Sequence, residues 1–363
     1  MSSPHSISSQ QLTFILTGAQ VGSAMLALPA LLCTEAGQHA WMAVLLGALF
    51  PLASLFFIER LGRRFPGLNF VQVNQTLLGK IGGAAAVLLF VVYVVFFEME
   101  IISSFGRLVQ IFMLPSTPIW ATLFLAMACV VYAGSKGGKV VGRINETLFF
   151  GILISLFFIL IPVYYVNDYT NLLPLGEIDP LELGRAVLVS LYAYAGSEVL
   201  LVYYSYVKAP DKVISAGLTA TALTVSIYLI VTLACLLVFG PDKVVDTIWP
   251  GVTILKVAGL SVIERLEFPF LAIWVGIVLR RGINLPFAAA LSLAQLFGNE
   301  NRHGLAMLGV GIVIYFAALF PQSMMVNFML VNYGCAAYFV IGILYPLFLL
   351  GVAWIRKGVV KNA

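Results

Sequence analysis

The chain has 363 residues, of which 61% are hydrophobic and only 10% charged, with a net charge of +4. Soluble domains carry about 25% charged residues, so this composition excludes an ordinary soluble fold, and without a basic stripe it also excludes a nucleic-acid binder. Long uncharged apolar stretches recur along the whole length, which is the mark of a helical protein that crosses a membrane many times.

The N-terminal "MSSPHSISSQQ" has neither the charged region nor the cleavage site of a signal peptide, so the first apolar segment is expected to be retained. At about 20 apolar residues per crossing, spans fall near 11–32, 40–61, 82–104, 118–134, 147–166, 186–207, 214–239, 266–297, 303–320 and 327–354. No hydrophilic block or flexible linker divides them, so a single membrane domain over 1–363 is expected. The eighth span is too long for one straight crossing and must be tilted, broken or partly interfacial.

Loop charges orient the chain. Arg60, Arg63, Arg64 and Lys80 follow span 2. Lys136, Lys139 and Arg143 follow span 4, and Lys208 and Lys212 follow span 6. Arg356, Lys357 and Lys361 sit in the tail. The loop after span 1 has only Glu35, and the loop after span 5 is acidic, with Asp168, Glu177, Asp179 and Glu182. This alternation puts both termini on the cytoplasmic side. Two connectors, "NFVQVNQTLLG" (69–79) and "TILKVAGLSVIERL" (253–266), read either as short amphipathic helices, on the inner and outer surface respectively, or as plain loops.

Spans 1 and 6 each contain a weak spot: "GAQVGSAMLALPA" (18–30) and "YAYAGSEVLL" (192–201). Five helices per half is an odd number, so the second half enters from the opposite face. The weak spots then occupy corresponding positions of two inverted repeats, 11–166 and 186–354, which is the sequence pointer to a transporter binding site. A helix broken in mid-membrane exposes N–H groups at one new end and C=O groups at the other. The amides near Gly22, Ser23, Ala24 and Met25 favour a carboxylate. The carbonyls near Tyr192, Ala193 and Tyr194 favour an ammonium, and together they suit a zwitterion such as an amino acid. The alternative is that Gly18, Gly22 and Gly196 are small-residue packing sites between helices.

Ionisable residues within spans are costly and functional by default. Glu98 and Glu100 lie in span 3, two apart and so on different faces. Glu198 follows the span 6 break. Glu98 and Glu198 read either as proton-relay or substrate contacts, or as structural acids in ion pairs or hydrogen bonds. Arg280 and Arg281 interrupt span 8. They either snorkel to an interface, pair with an intramembrane glutamate, or form a fixed cation in a pathway; the last would oppose a nearby sodium site. Unless span 8 ends there and "INLPFAAALSLAQLF" is re-entrant, both lie inside the membrane. Asn145 and Glu146 read as cap or gate residues of span 5, a plain cap being the simpler role.

The four cysteines (Cys33, Cys129, Cys235, Cys335) are scattered, with no CxxC or Cys/His cluster, so neither a disulfide framework nor a metal site is indicated. No HExxH, GxSxG, Walker or GxGxxG motif is present, so no cofactor is expected and an enzyme is disfavoured.

"GSAML" in span 1 and "YAYAGSE" in span 6 resemble the broken-helix motifs of the amino acid–polyamine–organocation transporter superfamily. "ISSQQ", "FGRLVQIFMLPSTPIW", "GRINETLFF" and "LSLAQLFG", in that order along most of the chain, resemble the spore germination permease family. That family is the B subunit of nutrient germinant receptors in endospore-forming bacteria. The resemblance implies an all-α leucine-transporter-type bundle of about ten helices. It also implies a spore inner-membrane location and partnership with a receptor A subunit and a lipoprotein C subunit. The ligand would be a nutrient, commonly an amino acid, bound by Gly22, Ser23, Ala24, Met25, Tyr192, Ala193, Tyr194, Gly196 and Glu198. Glu98 and Arg280 or Arg281 would complete the pocket. Ala24 departs from the superfamily's Gly-Ser-Gly. An ordinary proton-coupled amino acid permease remains the other reading.

Overall fold

A computed structural model describes residues 5–174, 176, 178–257, 265–320 and 324–356. The helix α1 (Ser9–Gln20) starts on a capping box: the Ser8 hydroxyl accepts from Gln11 N–H, and the Gln11 side chain accepts from Ser8 N–H. It stops at Gln20, because Val21 turns extended, and α2 (Ala24–Ala36) resumes after Gly22 and Ser23. The chain turns at Gly37, in the left-handed region, and returns as α3 (Ala40–Gly47) and α4 (Leu49–Arg64).

Helix α5 (Phe70–Phe112) is two helices in one: Gly79, at φ 79°, separates a short N-terminal piece from the span. The connector 69–79 is therefore helical, capped by Asn69 and Gln72. Next come α6 (Ile119–Ser135) and α7 (Gly138–Tyr165). Helix α8 (Pro180–Tyr194) has Asp179 as its cap. It breaks at Ala195 and Gly196 and continues at a bend of 45° through a tight turn into α9 (Leu200–Tyr203). Helix α10 (Val213–Val245) kinks at Gly240-Pro241, where span 7 was expected to end. After it come α11 (Pro250–Thr253), α12 (Glu267–Leu296), α13 (His303–Ala318), α14 (Met324–Tyr338) and, past a π-helical turn, α15 (Tyr345–Ile355).

Among the described residues, six helical runs are long and apolar enough to cross a membrane, or seven with the bent pair of span 6. The length test does not establish ten crossings, because span 1 is split into pieces of 12 and 13 residues and α6 and α13 have 17 and 16. Of the connector 253–266, residues up to Lys256 form short helical turns, and 258–264 lie outside the described residues. Glu177, Lys357 and Lys361 also lie outside them.

Helix α12 is the axle of the bundle. It packs against α1, α5, α6, α7 and α13, while α2 packs against α8 and α10. Every residue from Arg280 to Ser292 is buried, as expected of a helix surrounded by protein on all sides. α12 runs unbroken through both arginines, so the re-entrant alternative for 283–297 does not hold.

Candidate functional site

The two breaks touch. Gly196 has φ of +125°, and a Cβ there would meet the Ala19 carbonyl at the end of α1. Only glycine meets both demands. At the other break, a Cβ on Gly22 would lie 2.5 Å from Arg281 Cδ, so α12 presses directly on the interruption of span 1.

Arg281 is fully buried, and its guanidinium ties the breaks together. Nη1 donates to the Gln20 carbonyl, the last of α1, and Nη2 donates to the Ala195 carbonyl at 3.5 Å. Its planar fork suits two acceptors at once, and a cation suits the negative end of each helix dipole. The Tyr228 hydroxyl, on α10, shares its proton between Gln20 O at 2.9 Å and Ala193 O at 2.8 Å. The carbonyl end of α8, expected to await a ligand's ammonium, thus already holds protein groups at Ala193 and Ala195. Tyr194 turns away, its hydroxyl donating to Val44 O at 2.6 Å.

The opposite polarity follows the span 6 break. Glu198 Oε2 accepts from Gly196 N–H at 2.8 Å, and Oε1 accepts from the Tyr93 hydroxyl at 2.6 Å. The carboxylate therefore caps the new N-terminus, where an anion is stabilised. The Ser197 and Tyr338 hydroxyls are 2.8 Å apart beside it.

The N-terminus of α2 is different. Among the described residues, the amides of Gly22, Ser23 and Ala24 donate no hydrogen bond. Ser23 and Ala24 line a cavity of about 30 Å³ together with Ala27, Glu100, Tyr192 and Trp249, among others. Glu100, from α5, is among the lining residues. Its oxygens accept from the Ser104 hydroxyl, at 2.7 Å, and from the Tyr192 hydroxyl. The cavity therefore combines residues with unbonded amides and a buried carboxyl. At about 10–15 Å³ per water, it holds about two waters. An amino acid requires it to widen.

Glu98, Arg280 and Arg281 do not line this cavity. Glu98 is fully buried beside α12, where a Cβ on Gly282 would lie 3.7 Å from Oε2. Neither Glu98 oxygen has a hydrogen-bond partner among the described residues. Arg280 is also fully buried and donates to the Asn145 carbonyl at 3.4 Å. Gly18 makes room for it, since a Cβ there would come within 2.8 Å of Arg280 Nε and collide with the Asn145 side chain. Neither arginine snorkels. Among the described residues, neither forms an ion pair with a glutamate; both serve backbone carbonyls instead. Asn145 is not a cap, because α7 begins at Gly138, two turns earlier. Its amide and that of Asn284 bond reciprocally at 2.7 and 3.0 Å, and Asn284 also donates to Ile15 O at 3.2 Å.

One end of the bundle is closed by the N-terminal segment. Ile7 pairs with Val207 as an isolated bridge, donating to Tyr206 O at 2.9 Å and accepting from Lys208 N–H at 3.0 Å. His5 Nδ1 accepts from Gly138 N–H at 3.2 Å, and its ring meets His303 edge-on at 4.7 Å. Burial, then the neighbouring His303, push the His5 imidazole down to about 4, against a weaker pull upward from Glu300. A neutral ring fits its role as acceptor.

Of the residues expected from the sequence, Ser23, Ala24, Glu100 and Tyr192 line the cavity together. Gly18, Gly22, Met25, Ala193, Tyr194, Gly196, Glu198, Glu98, Arg280 and Arg281 form the structure around it without lining it. Sequence reasoning missed Tyr228, Tyr93, Asn284 and Trp249. Tyr228 was findable: it is a tyrosine in the middle of a span, away from the interfacial belts. Asn284, a polar residue inside span 8, carried a similar signal; Trp249 carried none.

The family model described as spore germination protein matches residues 6–326. Spore germination protein YndE of Bacillus subtilis (strain 168) is 25% identical, over 99% of this chain and 99% of its own length. Spore germination protein GerQB of Bacillus cereus is 23% identical over 85% of this chain and 86% of its own. Among solved structures, Mhp1, a nucleobase-cation-symport-1 family transporter in a closed conformation with bromovinylhydantoin bound, is similar in fold. Its TM-score is 0.70 at 13% identity, covering 94% of this chain and 77% of that one. The chain is an integral membrane protein with an all-α transporter fold, not an enzyme, and it belongs to the spore germination protein family.

Proposed function

We propose that this chain is the membrane-embedded B subunit of a nutrient germinant receptor, and that it binds a small zwitterion, an amino acid, between its two broken helices. The observation that carries the reading is the cavity at the start of α2. Ser23 and Ala24, whose amides donate no hydrogen bond among the described residues, line it together with Glu100, Tyr192 and Trp249. The ligand carboxylate takes the amides at the positive end of α2. The ligand ammonium takes Glu100, displacing the Tyr192 hydroxyl, because the carbonyl ends of α1 and α8 already hold Arg281 and Tyr228.

Binding then works by population shift. The compact conformer is held by Arg281 across both breaks, and the ligand favours a wider one. Gly18 and Gly22 give the arginines their room, and Met25, Ala193, Tyr194, Gly196 and Glu198 shape the backbone behind the site. Glu98 and Arg280 couple its movement to α5 and α12. The whole chain acts as one domain of two inverted repeats, 11–166 and 186–354, with both termini cytoplasmic. The basic end supports that orientation, since Lys136, Lys139 and Lys208 lie by the N-terminal latch. The receptor sits in the inner spore membrane with an A subunit and a lipoprotein C subunit.

A second reading, a proton-coupled amino acid permease of the cytoplasmic membrane, is favoured by the likeness to the transporter Mhp1. Purified chain in proteoliposomes separates the two. Saturable binding of a labelled amino acid without uptake supports the receptor. Saturable uptake driven by a proton gradient overturns it in favour of the permease.

A further inference from the structure

A groove of about 640 Å³ runs down the outside of the bundle between α5, α12 and α13. Its walls are apolar and include Val92, Phe297, Leu305, Gly309 and Val313; Arg302 lies at one end. Leu305 and Val313 are eight residues apart on α13, about 12 Å at 1.5 Å per residue. That is most of the ~15 Å that one leaflet contributes to a bilayer core of about 30 Å. The groove therefore extends from one membrane surface to near the midplane.

The surface end is the basic one. His303, next to Arg302, bonds the Ser135 carbonyl, and Lys136 and Lys139 follow directly. Arg302 is exposed and, among the described residues, forms no ion pair. The one acid beside it in sequence, Glu300, is engaged elsewhere, accepting from the Tyr206 hydroxyl at 2.9 Å and the Gln295 amide at 3.0 Å. At Gly309 an added Cβ would meet nothing within 4 Å, so the groove floor is open there.

We infer that this groove is a binding site for an anionic phospholipid of the cytoplasmic leaflet, with one acyl chain along α13 and the phosphate at Arg302. The apolar length matches one leaflet, and the free cation stands where the headgroup lies. A basic residue at the surface attracts anionic over neutral lipid, by about fivefold for a single charge. The groove abuts both α12, which carries Arg281, and α5, which carries Glu100. Occupancy thus braces α5, which lines the ligand site, and α12, whose Arg281 ties the two breaks together.

The full-length chain, purified in mild detergent, is titrated with phosphatidylglycerol and with phosphatidylcholine of identical acyl chains, and retained lipid is counted by native mass spectrometry. The wild type is expected to keep one phosphatidylglycerol in several-fold preference to phosphatidylcholine. Arg302→Gln, a surface change that leaves folding intact, should lose the preference and keep weak binding of both lipids. Gly309→Trp should lose both. Equal retention of the two lipids by the wild type overturns the proposal, as does retention unchanged in Gly309→Trp. Absence of any retained lipid also overturns it and leaves the groove to a protein helix. None of these readouts depends on whether an amino acid binds between the broken helices.

Discussion

Replacing Arg281 by lysine isolates what its fork does. The guanidinium donates to the Gln20 carbonyl and to the Ala195 carbonyl, one at the end of each broken half-helix. A lysine ammonium keeps the charge but is a point donor on a flexible stem, and it cannot serve both carbonyls in the same fixed geometry. One charge-assisted hydrogen bond is lost, about 1.5–3 kcal/mol. Tyr228 still serves Gln20 O, so the loss falls mainly on Ala195 and on the span 6 break. The compact conformer weakens against the wide one by that amount, a shift of about 10- to 150-fold in population. The assay is maleimide labelling of a cysteine placed at Ser23, in a background without the native cysteines. Labelling should accelerate by at least tenfold in Arg281→Lys, while circular dichroism stays helical. Arg281→Gln should accelerate it as much or more. If both variants label at the wild-type rate, Arg281 does not hold the breaks closed and the pinning argument is wrong.

Other expected outcomes rest on single contacts. Gly196→Ala forces an L side chain into φ of +125° and against the Ala19 carbonyl, so it should cost about 1–3 kcal/mol of stability, measured by thermal unfolding in detergent; an unaltered midpoint would contradict the fit. Gly22→Leu drives its side chain into Arg281, and should abolish ligand response with the bundle still folded; unchanged affinity refutes the assignment. Glu198→Gln keeps one acceptor but points an amide N–H at the other donor, so tightness at the span 6 break should fall, read as faster hydrogen exchange there. The N-terminal latch should be pH-dependent. His5 is held near 4 from an ordinary 6.5, so its neutral form stabilises the latch fully above about pH 6.5 and progressively less as pH falls toward 4. At 1.36 kcal/mol per unit the ceiling on the loss is about 3.4 kcal/mol, and solvent screening keeps it below that. A nitroxide at Ser6 should gain mobility across that window in the wild type. His5→Phe, which keeps the ring and cannot titrate, should show no such change.

The sequence yields the outline of this molecule because its strongest signals are local. Apolar runs mark helices. Gly79 and Gly240-Pro241 mark where helices bend, and "GAQVGS" and "YAGSE" mark where the backbone gives up its hydrogen bonds. What it does not yield is who satisfies the freed groups. Arg281 serves carbonyls 261 and 86 residues away in the chain, and Tyr228 reaches one 208 residues away. No spacing rule connects such positions, so the carbonyl end of α8 looked vacant when it was filled. Asn145 looked like a cap because apolar character begins at 147; the helix itself begins after Gly137, whose positive φ ends the preceding turn. The glutamates in span 3 were legible as different in role, since two residues apart on a helix is about 200°. The sequence reading set Glu98 at the pocket, whereas Glu100 lines the cavity.

The central claim is that the cavity between Ser23, Ala24, Glu100 and Tyr192 receives the nutrient. Equilibrium binding of labelled amino acids to the purified chain in nanodiscs tests it directly, comparing wild type with Ala24→Phe and Glu100→Gln. Saturable binding by the wild type is expected, abolished by Ala24→Phe, which fills the space, and weakened at least tenfold by Glu100→Gln, with helicity retained in both. Binding that survives both substitutions at wild-type affinity would place the ligand elsewhere and contradict the account.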